Sequence, residues 1–317
     1  MGAGGHRLLA NAYVALRRIR ELTDLPVELC HAGPEELPPG FAARLREEIT
    51  GVTFRDLGAD NRGFHLKPWA VLHSEFRELL WLDADNLPLG CLEKLFELEE
   101  YRRTGALFWP DLPSARWTQD SLYVDLGLDP RLNRAERELE SGQMLLDRSR
   151  CCPALEEAAR LSGPELRPTV YSRLLGDKDV FRLAFHLTGL PRSVVAHDPT
   201  PFGGKFFILQ IPGTDIVLKL DHPRGSFYAT GILQHHPDGS ELFAHKTVME
   251  WKPHLDFVGM THVQRTGRAL PHPELAALED WGYRQLQHFR SHYGGLFRPD
   301  RGEQLKALLR WLARLIP

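Results

Sequence analysis

Glu78-Leu79-Leu80-Trp81-Leu82-Asp83-Ala84-Asp85-Asn86-Leu87-Pro88 is the stretch on which the reading of this chain turns. Leu79 to Leu82 form a run too short for a helix and uniformly apolar, the pattern of a strand buried on both faces. The run stops abruptly at Asp83-Ala84-Asp85. In an open α/β sheet, ligands bind just beyond the carboxyl ends of the strands, where these two carboxylates would lie. Carboxylates one residue apart can share a divalent cation. Magnesium or manganese takes such oxygen ligands and keeps positions open for diphosphate oxygens. The bland reading is an acidic turn that caps the next element, and the chain holds a second D-x-D at Asp177-Lys178-Asp179.

Working outward, Leu8 to Leu22 reads as a helix, with Leu9, Ala12, Tyr13, Leu16 and Ile19 at helical spacing. Val27 to Cys30 and Val52 to Phe54 read as strands around a helix carrying Phe41, Leu45 and Ile49. Pro68 to Arg77 reads as a helix with proline in its first turn. Beyond the acidic pair, Ala106 to Trp109 and Met144 to Leu146 are further strands, and Val180 to Phe185 belongs to a helix. Strands alternating with helices predict an α/β fold with a mostly parallel sheet flanked by helices. From Phe206 the texture changes to a hairpin, Phe206 to Leu209 and Ile216 to Leu218 around Pro212-Gly213-Thr214-Asp215, with helices from Pro273. No repeat or low-complexity linker intervenes, so a single domain with a C-terminal extension is expected.

Composition excludes several classes. Of 317 residues, 39 are basic and 42 acidic, a net charge of −3 that draws the chain neither to nucleic acid nor to anionic lipid. No apolar run approaches the roughly 20 residues of a membrane helix, and Met1 to Arg7 lacks the apolar core of a signal peptide. Cys30, Cys91, Cys151 and Cys152 form no C-x-x-C pair, which predicts reduced thiols and a cytoplasmic protein. Near the end, Leu305, Leu308, Leu309, Leu312 and Leu315 oppose Arg301, Lys306, Arg310 and Arg314. The expectation is a helix packed on the body, with at most peripheral membrane contact.

Several motifs recur together: Lys67-Pro68-Trp69-Ala70-Val71-Leu72, the stretch Glu78 to Pro88, and Thr104-Gly105-Ala106-Leu107-Phe108-Trp109-Pro110-Asp111. Glu140-Ser141-Gly142-Gln143, Gly176 to Arg182, Gln234-His235-His236-Pro237-Asp238-Gly239 and Phe243-Ala244-His245 follow in order. This ordered set, over roughly residues 1 to 255, resembles the fungal α-mannosyltransferases of N-glycan outer chains and, distantly, the glycogenin-like retaining transferases. The resemblance implies a GT-A fold over 1–255 with a helical extension over 256–317, a nucleotide-sugar donor (GDP-mannose or a UDP-hexose), a glycan or small hydroxyl acceptor, and retention of configuration. It implies Mn2+ or Mg2+ held by Asp83, Asp85 and a late histidine, His245 with His235 as competitor. Lys67, Lys252, Gly4, Gly5 and His6 would meet the nucleotide or its diphosphate, with Asp83 there through the metal. Ser141, Gly142 and Gln143 would line the donor-sugar or acceptor side, and Asp177, Lys178 and Asp179 would sit beneath the sugar.

Three departures from the family accompany the likeness. Its first strand runs directly into the segment matching Ala3-Gly4-Gly5, so the opening strand is expected to be missing or reduced to Met1-Gly2-Ala3, with a late start or an impaired donor site. The fungal enzymes carry a membrane anchor and work in the Golgi, whereas no anchor is read in this chain. Lys178 stands where the glycogenin-like segment has glutamine. Two alternatives remain open: a phosphatase resembling the haloacid-dehalogenase superfamily, and a non-catalytic sugar-binding relative. Against the phosphatase, Leu87 fills the place where that family wants Thr or Val, and 82 residues precede Asp83.

Overall fold

The computed structural model describes residues 1–2, 8–210, 217–248, 251 and 259–294. The chain opens with α1 (Leu9–Leu22), β1 (Val27–His31), α2 (Pro39–Glu48), β2 (Val52–Asp56), α3 (Leu66–Leu72), β3 (Glu78–Leu82) and β4 (Asn86–Pro88). Next come α4 (Glu99–Thr104), β5 (Ala106–Pro110), α5 (Asp120–Asp125), α6 (Arg131–Ala135), β6 (Leu139–Asp147), α7 (Arg148–Leu161), α8 (Arg167–Tyr171), α9 (Val180–Thr188) and β7 (Ser193–Val194). The remainder is β8 (Thr200–Gln210), β9 (Val217–Asp221), β10 (Ser226–His235), β11 (Glu241–His245), β12 (His262–Arg265), β13 (Arg268–Pro271) and α10 (Pro273–Tyr293).

The α/β class read from the sequence is the class observed. β1 and β2 pair in parallel, and a second sheet has the order β3-β6-β5-β7. In it β7 is parallel to β5, but β6 runs antiparallel between β3 and β5. The β5–β6 connection carries two short helices, of six and five residues. β6 starts beside the end of β5, Leu139 opposite Pro110, and returns along it. The third sheet is antiparallel, β13-β12-β8-β10-β11-β4 with β9 on β8, and it contains the expected hairpin.

Alternate residues of the second sheet feed two cores, as period-2 strands buried on both faces require. Leu82, Leu107 and Leu145 enter one with α1, α2 and α10, while Trp81, Phe108, Met144 and Leu146 enter the other with α7 and α9. At the front edge Gly2 forms a parallel bridge to Cys30, the Met1 amine donates to the Glu28 carbonyl, and a Cβ on Gly2 would stand 3.7 Å from the Trp81 ring. Met1 and Gly2 thus lie between β1 and β3. Beside them is an apolar cavity of about 320 Å³, walled by Val27, Val71, Leu79 and Leu92 among others.

After residue 255 the described chain supplies β12 and β13 to the antiparallel sheet and lays α10 on α1, where Tyr13 meets Phe289 and Tyr293. The amphipathic segment expected near the end lies outside the described residues, as does the turn of the hairpin. Among the described residues no helix is long and apolar enough to cross a membrane.

α9 is anchored by a fully buried guanidinium. Arg182 donates to Asp179 Oδ2 and Asn133 Oδ1, each at 2.7 Å. Breaking such a pair strands a buried charge, so Arg182→Ala should cost about 3–5 kcal/mol in urea unfolding. A cost below about 1 kcal/mol would show that Asp179 does not depend on this partner.

Candidate active site

Two strand registers assemble the acidic cluster. β4 pairs with β11 so that His245 faces Asn86, bringing the imidazole beside Asp85. β3 pairs with β6 so that Leu82 faces Gln143, and the Asp83 amide then donates to the Gly142 carbonyl at 2.8 Å. On its other side β6 breaks register with β5: Phe108 faces Met144, but Trp109 faces Glu140. Ser141, Gly142 and Gln143 are the extra residues, a bulge of the kind that re-aims backbone and side chains next to sites.

α3 begins two residues before the expected proline and so includes Lys67, whose ammonium is buried at the centre of the cluster. It reaches Asp83 Oδ2 at 2.9 Å, Asp177 Oδ2 at 3.0 Å, and the Ser141 carbonyl and hydroxyl at 2.9 and 3.0 Å. Burial works against this charge, but Asp177 and Asp83 outweigh it and hold Lys67 above the ordinary lysine value. α3 ends at Leu72, where the Arg148 guanidinium takes the carbonyls of Leu72, Ser74 and Phe76. Asp83 Oδ1 accepts from Trp81 Nε1 at 2.7 Å, and burial pushes its carboxyl up while Lys67 pulls it down.

His245 sits between two carboxylates. Its Nε2 lies 3.1 Å from Asp85 Oδ1 and its Nδ1 lies 2.8 Å from Glu140 Oε2. Burial opposes the imidazolium, yet Glu140 and Asp85 raise His245 well above the usual histidine value. Burial likewise opposes ionised Glu140, but His245 pulls its carboxyl down to about 2. One ligand atom each from Asp83, Asp85 and His245 lie within 4.8 Å of one another. Four carboxyl groups, of Asp83, Asp85, Asp177 and Glu140, face Lys67 and His245. Oxygen ligands with one imidazole are a donor set that would suit manganese or magnesium. Lys67, Asp83, Asp85 and Asp177 form one wall of an open pocket of about 910 Å³, whose other walls include Glu36, Arg62, Phe64 and Thr247.

The other residues singled out from the sequence divide by what they touch. Asp177 is buried on the pocket wall, with Oδ1 accepting from the Ser141 hydroxyl at 3.1 Å. Gly142 has no room for a side chain, since a Cβ there would stand 2.4 Å from the His245 ring. Gln143 is fully buried, its Oε1 taken by Asn86 Nδ2 at 2.6 Å. Lys178 pairs with Asp111. Asp179 accepts from Thr118 Oγ1, the Leu139 amide and Arg182, a set of internal bonds that ties α9 to the start of β6. His235 stands apart from the aspartates, its ring 6.3 Å from that of His197. Gly4, Gly5, His6 and Lys252 lie outside the described residues.

Glu140 and Asn86 were not assigned from the sequence, although both sit in quoted motifs. Asn86 Nδ2 also donates to the Gly142 carbonyl at 2.9 Å, locking β4 to the bulge. A second histidine–carboxylate group, Glu241, His272 and Glu274, has ligand spacing but the wrong tautomer. His272 Nδ1 accepts the Leu275 amide at the start of α10, so Nε2 carries the proton and donates to Glu241.

The geometry of a strand-end acidic pair, a buried lysine and a late histidine is joined by direct likeness. Residues 2–126 match the family described as "Mannosyltransferase putative". The chain is 30% identical over 140 residues to the α-1,2-mannosyltransferase MNN2 of Saccharomyces cerevisiae, covering 39% of this chain and 22% of that enzyme. With the α-1,2-mannosyltransferase MNN5 of the same species (strain YJM789) it shares 24% over 251 residues, 59% of this chain and 42% of the enzyme. The chain thus spans well under half the length of these relatives. Among solved structures, the Streptococcus pneumoniae glycosyltransferase GlyE aligns with a TM-score of 0.42 at 13% identity, covering 59% of this chain and 42% of its own. Mouse xyloside xylosyltransferase 1 aligns at 0.37 and 18%, covering 60% and 79%.

The chain is thus similar in sequence, over part of its length, to the fungal α-mannosyltransferases that its motifs resemble. The same likeness corrects the cytoplasmic location, because those relatives are Golgi-lumenal enzymes. The four free cysteines describe thiol pairing and say nothing about compartment.

Crowding at the bulge gives a direct check. Gly142→Ala should lower stability by about 1–3 kcal/mol by pressing on His245. Gly40→Ala, whose Cβ meets nothing in α2, should gain up to about 1 kcal/mol. Equal melting temperatures for the two variants would contradict the packing described.

Proposed function

We propose that this protein is a metal-dependent retaining glycosyltransferase that moves a hexose, mannose first among candidates, from a nucleotide-diphosphate sugar to a hydroxyl acceptor on a glycan. The observation that carries the reading is the convergence of Asp83, Asp85 and His245 beside Lys67, with both aspartates and the lysine on the wall of an open pocket. The names of the relatives support mannose as the transferred sugar. They support retention too, since an α-linked product from an α-linked donor keeps its configuration.

Asp83, Asp85 and His245 would hold Mn2+ or Mg2+, which supplies charge neutralisation for the departing nucleoside diphosphate. The protein's own groups do the rest. Lys67 shares its three N–H donors among Asp83, Asp177 and Ser141, so it positions the aspartates more than it offers itself to the nucleotide. Asp177, buried on the pocket wall, is placed to bind donor-sugar hydroxyls. The GT-A description fits the α/β order with the acidic pair at a strand end.

The test is hydrolysis and binding of GDP-mannose, UDP-glucose, UDP-galactose and UDP-N-acetylglucosamine with and without manganese. Manganese-dependent turnover of GDP-mannose is expected, and Asp85→Ala should lower it about 100-fold or more. Turnover indifferent to chelation, or unchanged in Asp85→Ala, would overturn the reading. Magnesium-dependent hydrolysis of simple phosphomonoesters instead would favour the phosphatase.

A further inference from the structure

We infer that Glu140 is the positioning residue for the metal site, the carboxylate that fixes the His245 ring so that Nε2 faces the two aspartates. This rests on the metal reading above and extends it to a residue that does not itself touch the ion.

The Glu140 side chain lies 3% exposed in β6, where an unpaired carboxylate would carry a desolvation cost of several kcal/mol. Each of its oxygens is already engaged. Oε1 accepts the Gly142 amide at 3.1 Å, and Oε2 lies 2.8 Å from His245 Nδ1 with Gln143 Nε2 at 3.4 Å. Glu140 therefore has no oxygen turned to a sugar, which separates it from Asp177 on the pocket wall. Its charged contact is the imidazole. A histidine that binds metal through one ring nitrogen characteristically gives its other N–H to a carboxylate or carbonyl, which sets both tautomer and orientation. With Nδ1–H directed at Glu140, Nε2 is the nitrogen turned to Asp85 Oδ1, 3.1 Å away.

The bulge explains how one strand supplies this geometry. Glu140 faces Trp109 across the ladder, while the extra residues Ser141, Gly142 and Gln143 loop out before pairing resumes at Met144. That loop turns the Gly142 amide back onto Glu140, leaves space for the ring where a Cβ would clash at 2.4 Å, and gives the Ser141 oxygens to Lys67. The four-residue Glu140-Ser141-Gly142-Gln143 unit thus holds the histidine, the lysine and the Asp83 amide at once.

The experiment is manganese binding to the full chain, free Mn2+ being followed by electron paramagnetic resonance, for wild type, Glu140→Gln and Glu140→Asp. Unfolding is recorded beside it in chelator. Glu140→Gln should weaken manganese binding about 10- to 100-fold, because an amide at this place cannot accept from both Gly142 and His245. Glu140→Asp, keeping the charge, should recover part of that loss. Manganese affinity equal to wild type in both variants, whatever their melting temperatures, would show a purely structural role and overturn the inference. Should Glu140→Gln fail to fold, Glu140→Asp decides: a raised dissociation constant supports positioning, and an unchanged one overturns it. Wild type that binds no manganese would instead sink the metal reading itself, a separable result.

Discussion

The buried ammonium of Lys67 is the interaction on which the site depends. Its partners come from the end of β3, the β6 bulge and the segment before α9, so one side chain ties these three parts of the chain to α3. Asp83 and Asp177 would repel one another across a low-dielectric interior without it. Lysine suits this place better than arginine, because a compact point charge can sit at the meeting of several acceptors without demanding planar, bidentate geometry. The cost is that the ammonium is nearly saturated, which shifts the work of meeting an anionic ligand to whatever neutralises the remaining carboxylates.

That division accounts for the charge pattern. The chain as a whole is close to neutral, yet its cluster gathers four carboxyl groups around one lysine and one histidine. A site meant to receive a diphosphate directly would be lined with surplus arginine and lysine. A surplus of carboxylate repels such an anion unless a cation stands between them. On the function proposed above, a metal would stand between the acidic cluster and an anionic donor, so the metal and donor parts of that proposal go together.

Much of the frame was legible in the residues, and the reasons are local. Leu79 to Leu82 is apolar on both faces and is followed by acid, so its strand and the ligand side of the sheet follow from pattern alone. β6 was legible only in its second half. Leu139 and Met144 to Leu146 fit a buried strand, but Glu140, Ser141 and Gln143 are polar and Gly142 is a poor strand former, so apolar periodicity breaks where the bulge lies. The antiparallel course of β6 was hidden too, because short helices between strands look like a crossover. Asp179 shows the opposite failure. An acid just ahead of a helix next to a site acid looks chemical, but its three partners are internal.

Histidine was the hardest choice, since 15 are present and none announces itself by spacing. His235 and His245 lie on neighbouring antiparallel strands, β10 and β11, so their separation along the chain says little about which approaches Asp85. The deciding fact is that β4, three residues long, pairs with β11 and not with β10. The Asn86 side chain meanwhile bonds across to Gly142 and Gln143 of the β6 bulge, fixing β4 beside it. Replacing Asn86 by an apolar residue would leave the buried Gln143 Oε1 without its partner, remove one of the two donors to the Gly142 carbonyl and loosen the link between β4 and the bulge. The D-x-D-N stretch is therefore more informative than D-x-D alone: its aspartates supply charge, and its asparagine joins the two sheets at the point where that charge collects.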